Sequence, residues 1–325
     1  MKKRRLACLA FAAPMFALAA CTGGTSSLAL TSNWYAQVGS EISPNTHETL
    51  TYSVSFTAAD GNGFLSYGEG TYTTELTAET TQLADGSSEL CYRLCAELTI
   101  PVTYTVNGES ETFTDSVTSD VWFRDVGRSL QPVRSEKSVL SHSPLSSEAP
   151  ETLESAYAVY EYKDVTVYDA SCANAQLTRT FTQPTESENT YSIELTGSGT
   201  YLDNEQILFA MRGVSTSSAA SFRSINPASR AVATVAMSAA PTSASGDQAN
   251  FAIGEDAEPA ERELTTYSFS LGYAGSNPGQ PQTLTYAAVT SANDNTYRSA
   301  LLEMEVPVLY SLGTLRYELT RAVFS

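Results

Sequence analysis

Alternation of apolar and polar residues is the feature that most restricts what this chain can fold into. It recurs in segments spread over the 325 residues, from Tyr52, Val54 and Phe56 to Leu315, Tyr317 and Leu319. An apolar residue at every second position is the pattern of a strand with one buried face and one solvated face. The sequence therefore predicts a mainly β protein built from half-buried antiparallel strands.

Turn residues separate these strand-like segments. Asp60-Gly61, Asp85-Gly86 and Asn107-Gly108 each place residues that tolerate positive φ between two alternating runs, as tight hairpins require. Strands joined by short local turns favour a meander over a parallel sheet. We expect a large curved antiparallel sheet, similar to a half-open barrel, with one short helix.

The short helix is predicted over residues 203–213. Asp203 is a candidate N-cap, Gln206 follows three positions later as in a capping box, and Gly213 is a candidate C-cap. Residues 34–325 are predicted to form a single β-rich domain, with a possible subdivision near residue 200. The stretch 241–261 is rich in Ser, Gly, Asp and Pro, which predicts a mobile loop.

The first 21 residues have the organisation of an export signal. Four basic residues at positions 2–5 precede an apolar run that ends at Ala20, and this run is shorter than the about 20 residues of a membrane span. Leu-Ala-Ala-Cys at 18–21 resembles the lipobox of bacterial lipoproteins. The resemblance implies removal of the signal peptide 1–20, acylation of Cys21, and a flexible tether over 21–33.

These features predict where the chain resides and which partners it has. A diacylglyceryl group on Cys21 would anchor the protein to a membrane, on the outer face of the cell membrane or at an outer membrane. The formal net charge is −18, and removal of residues 1–20 takes away four basic residues and no acidic ones. Such an acidic chain repels phosphate backbones, which excludes nucleic acid as a partner.

Three cysteines remain after Cys8 leaves with the signal and Cys21 is acylated. Cys91 and Cys95 lie four positions apart on one predicted strand, a separation of about 13 Å at about 3.3 Å per residue, which is too far for a disulfide. One of them could pair with Cys172, and Cys95 with Cys172 is the candidate bridge. The alternative is three reduced, half-buried thiols.

A resemblance to known families rests on three short segments. These are Gly-Glu-Gly-Thr-Tyr at 68–72, Phe-Thr-Asp-Ser-Val at 113–117 and Leu-Gln-Pro-Val-Arg-Ser at 130–135. Their order resembles the DUF3108 envelope proteins and, more distantly, the LolA/LppX-like lipoprotein carriers; the helix at 203–213 is similar to one in that family. Over nearly its whole length the chain also resembles uncharacterised lipoproteins of gut-type Gram-positive bacteria. The carrier resemblance implies a sheet wrapped round a helix, with an apolar concavity.

Catalytic and cofactor motifs are not evident in the sequence. Its two histidines, His47 and His142, stand in polar surroundings and are interpreted as solvated loop residues, with neither metal-ligand spacing nor a partner serine. We expect no metal, no cofactor and no enzymatic activity.

The leading hypothesis is a membrane-anchored lipoprotein that binds a lipid or another hydrophobic ligand in the groove of a curved sheet. Candidate ligand-binding residues are Leu208 and Met211, on the predicted helix, and Trp122, which must face the opposite side of its strand from Phe123. The alternative is a surface-exposed structural or adhesive module that binds glycan or protein. Trp34 and Trp122 would then supply a stacking platform, although aromatic residues also fill sheet faces by propensity alone.

Overall fold

The computed structural model describes most of the chain beyond residue 46. The described residues are 26–27, 47–126, 129–195, 200–203, 205–213, 219–226, 229–274, 281–290 and 297–324. The signal peptide 1–20, the lipidation site Cys21, most of the tether and Trp34 lie outside them, so the predictions for these positions stay predictions.

The fold is mainly β, as the alternating pattern predicts. Within the described residues, seventeen strands belong to one sheet. They are β1 (Ser26–Ser27), β2 (His47–Ala58), β3 (Leu65–Tyr67), β4 (Gly70–Gln82), β5 (Ser88–Val106), β6 (Glu109–Val126), β7 (Ser129–Pro144), β8 (Tyr157–Tyr168), β9 (Asn174–Gln183), β10 (Ser187–Glu194), β11 (Ala220–Asn226), β12 (Ala231–Met237), β13 (Thr242–Ile253), β14 (Ala260–Tyr273), β15 (Gln282–Thr290), β16 (Tyr297–Pro307) and β17 (Gly313–Phe324).

One short α-helix, α1 (Gln206–Ala210), lies within the predicted segment and is followed by a 3-10 turn, Met211–Gly213. The Asp203 N–H donates to Gln206 Oε1 at 2.9 Å. The helix has Glu205 at its N-cap position and Met211 at its C-cap position, so the predicted caps Asp203 and Gly213 are wrong. Further 3-10 turns are Leu153–Ser155 and Leu309–Ser311. Of the helices in the described part of the chain, none has the length and apolar character needed to cross a membrane.

Two meanders make up most of the sheet. From β4 to β10 each strand pairs antiparallel with the next, and β14 to β17 do the same. β2 joins the two meanders, because it pairs with β17 on one side and with β4 on the other. β12 and β11 continue the second meander beyond β14.

The two ends of this sheet come together. The chain that follows β10 lies parallel to β11, where the Leu202 N–H donates to the Arg223 carbonyl and the Arg223 N–H donates to the Thr200 carbonyl, each at 2.9 Å. The sheet is therefore curved into the barrel-like form that the sequence predicts.

The prediction of a mobile loop over 241–261 is wrong, because Thr242–Ile253 forms the strand β13. Its residues pair with β14 from Thr242 to Phe251, and its last residues pair in parallel with β17. A bulge at Gly246, which has a φ of 81°, bends the strand between these partners. Because β14 to β17 pair in sequence, β13 closes a ring of five strands. The polar residues of β13 are exposed to solvent. Composition alone does not distinguish such an exposed strand from a loop.

The apolar positions of the alternating pattern face the inside of the barrel. On β5, Ala96, Leu98 and Ile100 are buried, whereas Glu97 and Thr99 between them are exposed. One cluster of buried hydrophobic residues extends from Leu50 to Ala322 and includes α1, so it contains residues from both sides of position 200.

We predict that Gly313→Ala destabilises the junction between β2 and β17. A Cβ at this position would lie 2.4 Å from both the Phe56 ring and the Thr57 carbonyl oxygen. Relief of such overlap in a packed region costs about 1–3 kcal/mol, so the free energy of unfolding in urea should fall by this amount. Gly63→Ala is the matched control, because no atom lies within 4 Å of its added Cβ.

Candidate functional site

The interior of the barrel is occupied by α1. All five of its residues are buried, and the four after Gln206 are apolar, as expected of a helix that lies within a core. The Phe209 ring lies with its centroid 5.5 Å from that of Tyr92 on β5 and 5.3 Å from that of Phe123 on β6. From another part of the sheet, the Tyr286 hydroxyl on β15 donates to the Leu208 carbonyl at 2.8 Å. α1 thus contacts strands from both meanders.

Buried ion pairs lie at both ends of this segment. On the N-terminal side, Lys137 of β7 lies 3.2 Å from Glu205, which also accepts a hydrogen bond from the Ser119 hydroxyl. On the C-terminal side, Arg212 donates two hydrogen bonds to Glu48 of β2. Breaking one partner of such a pair costs about 3–5 kcal/mol, because the other charge is left buried. The pairs therefore fix the position of α1.

Leu208 and Met211, the predicted ligand-binding residues on the helix, belong to the hydrophobic core. Their exposed fractions are 6% and 2%. The structure places them inside the curved sheet, as the resemblance to carriers implies, but the space around them is filled by the protein's own side chains. A ligand can reach these two residues only if α1 moves.

Trp122, the third predicted ligand-binding residue, lies on the outer face of β6, and Phe123 is buried inside, as alternation requires. The Trp122 ring lies between two guanidinium groups, 5.6 Å from that of Arg93 and 5.9 Å from that of Arg134. Its indole N–H donates to Glu79 of β4. The ring also packs against the small cluster of Leu83, Cys91 and Val133, and the structure brings it together with neither Leu208 nor Met211.

His142 is a residue whose setting the sequence interpretation missed. The prediction of a solvated loop is wrong: His142 lies in β7, is buried, and its Nδ1 lies 2.8 Å from Asp115 Oδ1. Its ring stacks on Phe113 at 4.0 Å. Burial raises the pKa of Asp115, while the hydrogen bonds from His142 act in the opposite direction. Asp115 and Val117 are two positions apart on β6, so their side chains point to the same face of the strand. The apolar Val117 therefore indicated that the Asp115 carboxylate faces inward.

The second histidine is also part of a strand. His47 begins β2, and its Nε2 lies 3.2 Å from Glu75 on the neighbouring β4. Within the residues that the structure describes, no group of three or more histidine, cysteine or acidic side chains is arranged to hold a metal ion.

Comparisons with known proteins assign no family. The chain matches no model of a known protein family and no curated protein. Among solved structures it is similar to the crystal structure of a "Beta-barrel-like Protein of Domain of Unknown Function DUF1849" from Brucella abortus, with a TM-score of 0.46 and 9% sequence identity. The match covers 88% of this chain and 99% of that chain. The DUF3108, LolA/LppX-like and Gram-positive lipoprotein resemblances stay predictions.

The predicted disulfide between Cys95 and Cys172 is wrong. Cys91, Cys95 and Cys172 are all free thiols. Cys95 lies on β5, whereas Cys172 lies in the turn between β8 and β9, at a φ of 52°. Burial raises the pKa of the Cys91 thiol to about 11 and those of Cys95 and Cys172 to about 12. All three are therefore protonated and weakly nucleophilic near neutral pH.

We predict that these thiols react slowly in the folded protein and rapidly after unfolding. Iodoacetamide at pH 7 should label them at least about tenfold more slowly in the native chain, because little thiolate is present. In denaturant without a reducing agent, peptide mapping should find all of them alkylated. If Cys95 and Cys172 were labelled only after addition of a reductant, the assignment of free thiols would be contradicted.

Proposed function

We propose that this chain is a lipid-anchored, extracytoplasmic binding protein without enzymatic activity, and that its ligand is an amphiphile that occupies the barrel interior in place of α1. The observation that carries the proposal is the position of α1: a short apolar helix, bounded by charged residues, inside a curved sheet. The interior thus already accommodates an apolar segment with polar ends.

α1 is attached to the interior differently from the strands around it. Each strand of the meanders is held by a ladder of backbone hydrogen bonds, whereas the described contacts of α1 with the sheet are side-chain contacts and the bond from Tyr286 to Leu208. A helix of five residues is also too short to be stable without packing. Displacing α1 would break no strand pairing, so the barrel can keep its shape while its interior is exchanged.

The charged residues define the kind of ligand that can replace α1. If α1 left the interior, Lys137 would lose Glu205, and the aromatic rings of Tyr92 and Phe123 would lose Phe209. A ligand with an apolar chain and an anionic head group would restore both contacts, by burial of apolar area at about 25 cal/mol per Å² and by pairing with the ammonium group. A fatty acid or a membrane lipid with an anionic head group has this chemistry.

The membrane anchor would place the barrel beside the source of such ligands. Acylation of Cys21 supports this location, because two acyl chains give stable membrane attachment. The small residues Thr22, Gly23 and Gly24 that follow are suited to a flexible tether.

We predict that Cys21→Ser abolishes lipid attachment. In a bacterial host, the full-length chain should incorporate labelled palmitate and sediment with membranes, and the variant should do neither. Cys172→Ser is the matched control and should behave as the unmodified chain, since that cysteine lies in the turn between β8 and β9, remote in sequence from the lipobox. Membrane sedimentation and palmitate labelling of the Cys21→Ser chain would refute the anchor.

We predict that weakening the attachment of α1 increases uptake of an amphiphile. The double variant Glu48→Gln/Arg212→Met removes the ion pair without leaving one charge buried, so α1 should leave the interior more easily. Uptake of a fluorescent fatty acid should rise about tenfold, which corresponds to about 1.4 kcal/mol. Native mass spectrometry of the full chain should detect a stoichiometric lipid that organic extraction removes.

The control for this experiment is Arg134→Met, which removes an ion pair with Glu136 on the outer face of the sheet. Exposed pairs contribute at most about 1 kcal/mol, and this one does not touch α1, so uptake should not change. A clean apo mass, together with no fatty-acid uptake by either the unmodified chain or the double variant, would reject the interior site.

A further inference from the structure

A second candidate site lies outside the barrel interior, beneath β13. The ring of five strands β13 to β17 borders a solvent-open cavity of about 430 Å³, which is lined by residues from all of these strands and by Ser53 of β2. Small-ligand sites commonly have volumes of about 300–1,000 Å³. The cavity is therefore large enough for a small ligand.

Side-chain hydrogen bonds hold β13 beside this cavity near its middle and beyond its C-terminal end. Near its middle, the bulge at Gly246 is followed by Asp247, which accepts a hydrogen bond from the Thr266 hydroxyl of β14. Beyond its end, Arg321 of β17 donates to the carbonyl oxygens of Gly254 and Glu255. The cavity is thus built by strand pairing and side-chain hydrogen bonds.

Uncharged polar groups form much of the lining. Ser53, Thr285 and Thr320 contribute hydroxyl groups, and Gln248 and Asn250 contribute side-chain amides. Hydroxyls and amides both donate and accept hydrogen bonds. Gln248 and Asn250 are exposed on β13, and the structure describes no side-chain hydrogen bond of either within the chain. These groups suit a ligand that carries many hydroxyls.

The charged groups of the lining exclude an anionic ligand. Arg316 is bonded to Glu303 at 3.0 and 2.9 Å and lies 3.1 Å from Glu318, so its charge is already shared between two carboxylates. Asp247 adds a third carboxylate. Because the acidic groups outnumber the single guanidinium, and the whole chain is strongly acidic, a negative ligand would be repelled.

Apolar side chains complete the lining. Leu302 and Leu319 border the cavity beside the polar groups, although most of each side chain is buried in the hydrophobic core. A sugar ring presents hydroxyls at its edge and C–H groups on its faces, so it can contact both kinds of surface at once. We propose that this cavity binds a carbohydrate that carries no acidic group. The proposal uses different residues from the interior site and does not depend on it.

The test is a glycan array probed with the full-length chain, followed by titration calorimetry with the neutral, amino and acidic sugars it contains. At least one neutral or amino sugar should bind, and acidic sugars should not. Gln248→Ala and Asn250→Ala should each weaken binding about tenfold, whereas Asn189→Ala, an exposed amide on β10, should leave it unchanged. Asp247→Asn should reduce the discrimination against acidic sugars, an effect that a purely structural role would not produce.

Several results would overturn the proposal. They are binding of no sugar on the array, binding of acidic sugars only, and binding that is equally strong in Gln248→Ala and Asn250→Ala. Binding of spermidine without any sugar would indicate that the carboxylates recognise a polyamine, and would also overturn it. Unfolding curves of the variants establish that a loss of binding is not a loss of fold.

Discussion

The pairing of β2 with β17 is the constraint on which the rest of the architecture depends. These strands lie at the two ends of the described chain and match over eleven residue pairs, from Gly313 opposite Ala58 to Phe324 opposite Glu48. Without this pairing, the meander β4 to β10 and the meander β14 to β17 would be joined only where the chain after β10 meets β11. With it, their apolar faces enclose one core, and the space inside becomes available to α1.

The core enclosed in this way is not purely apolar. Lys137, Glu205, Glu48 and Arg212 are buried within it, beside tyrosines whose pKa values burial raises well above their usual range, Tyr52 among them. Charged groups in such surroundings are tolerated only when they are paired. These pairs orient α1 in the barrel, and their chemistry is the reason that we assign the interior to a ligand with both an apolar chain and a charged end.

The sheet presents a different chemistry on its outer face. Polar positions of the alternating strands, such as Thr285, Glu303 and Arg316, would normally face only solvent. Because β13 turns back over β14 to β17, some of them line a cavity instead. The sheet thus has an apolar interior and a polar cavity on its outer face. This cavity is where we propose that the glycan of the alternative hypothesis binds.

Much of the fold followed from the sequence, because alternation and turn residues act over a few positions. The mainly β class, the curved antiparallel sheet, the short helix and the opposite orientations of Trp122 and Phe123 are all local consequences of strand and helix geometry. Pairings between distant residues are not local, and they decided the rest: the strand β13 in place of a loop, the burial of His142 against Asp115, the free thiols of Cys95 and Cys172, and the enclosure of Leu208. The sequence by itself determined which apolar residues of the alternating strands face inward. The tertiary structure decided what they meet there, since the same alternating pattern is compatible with many strand orders and does not specify that β2 pairs with β17.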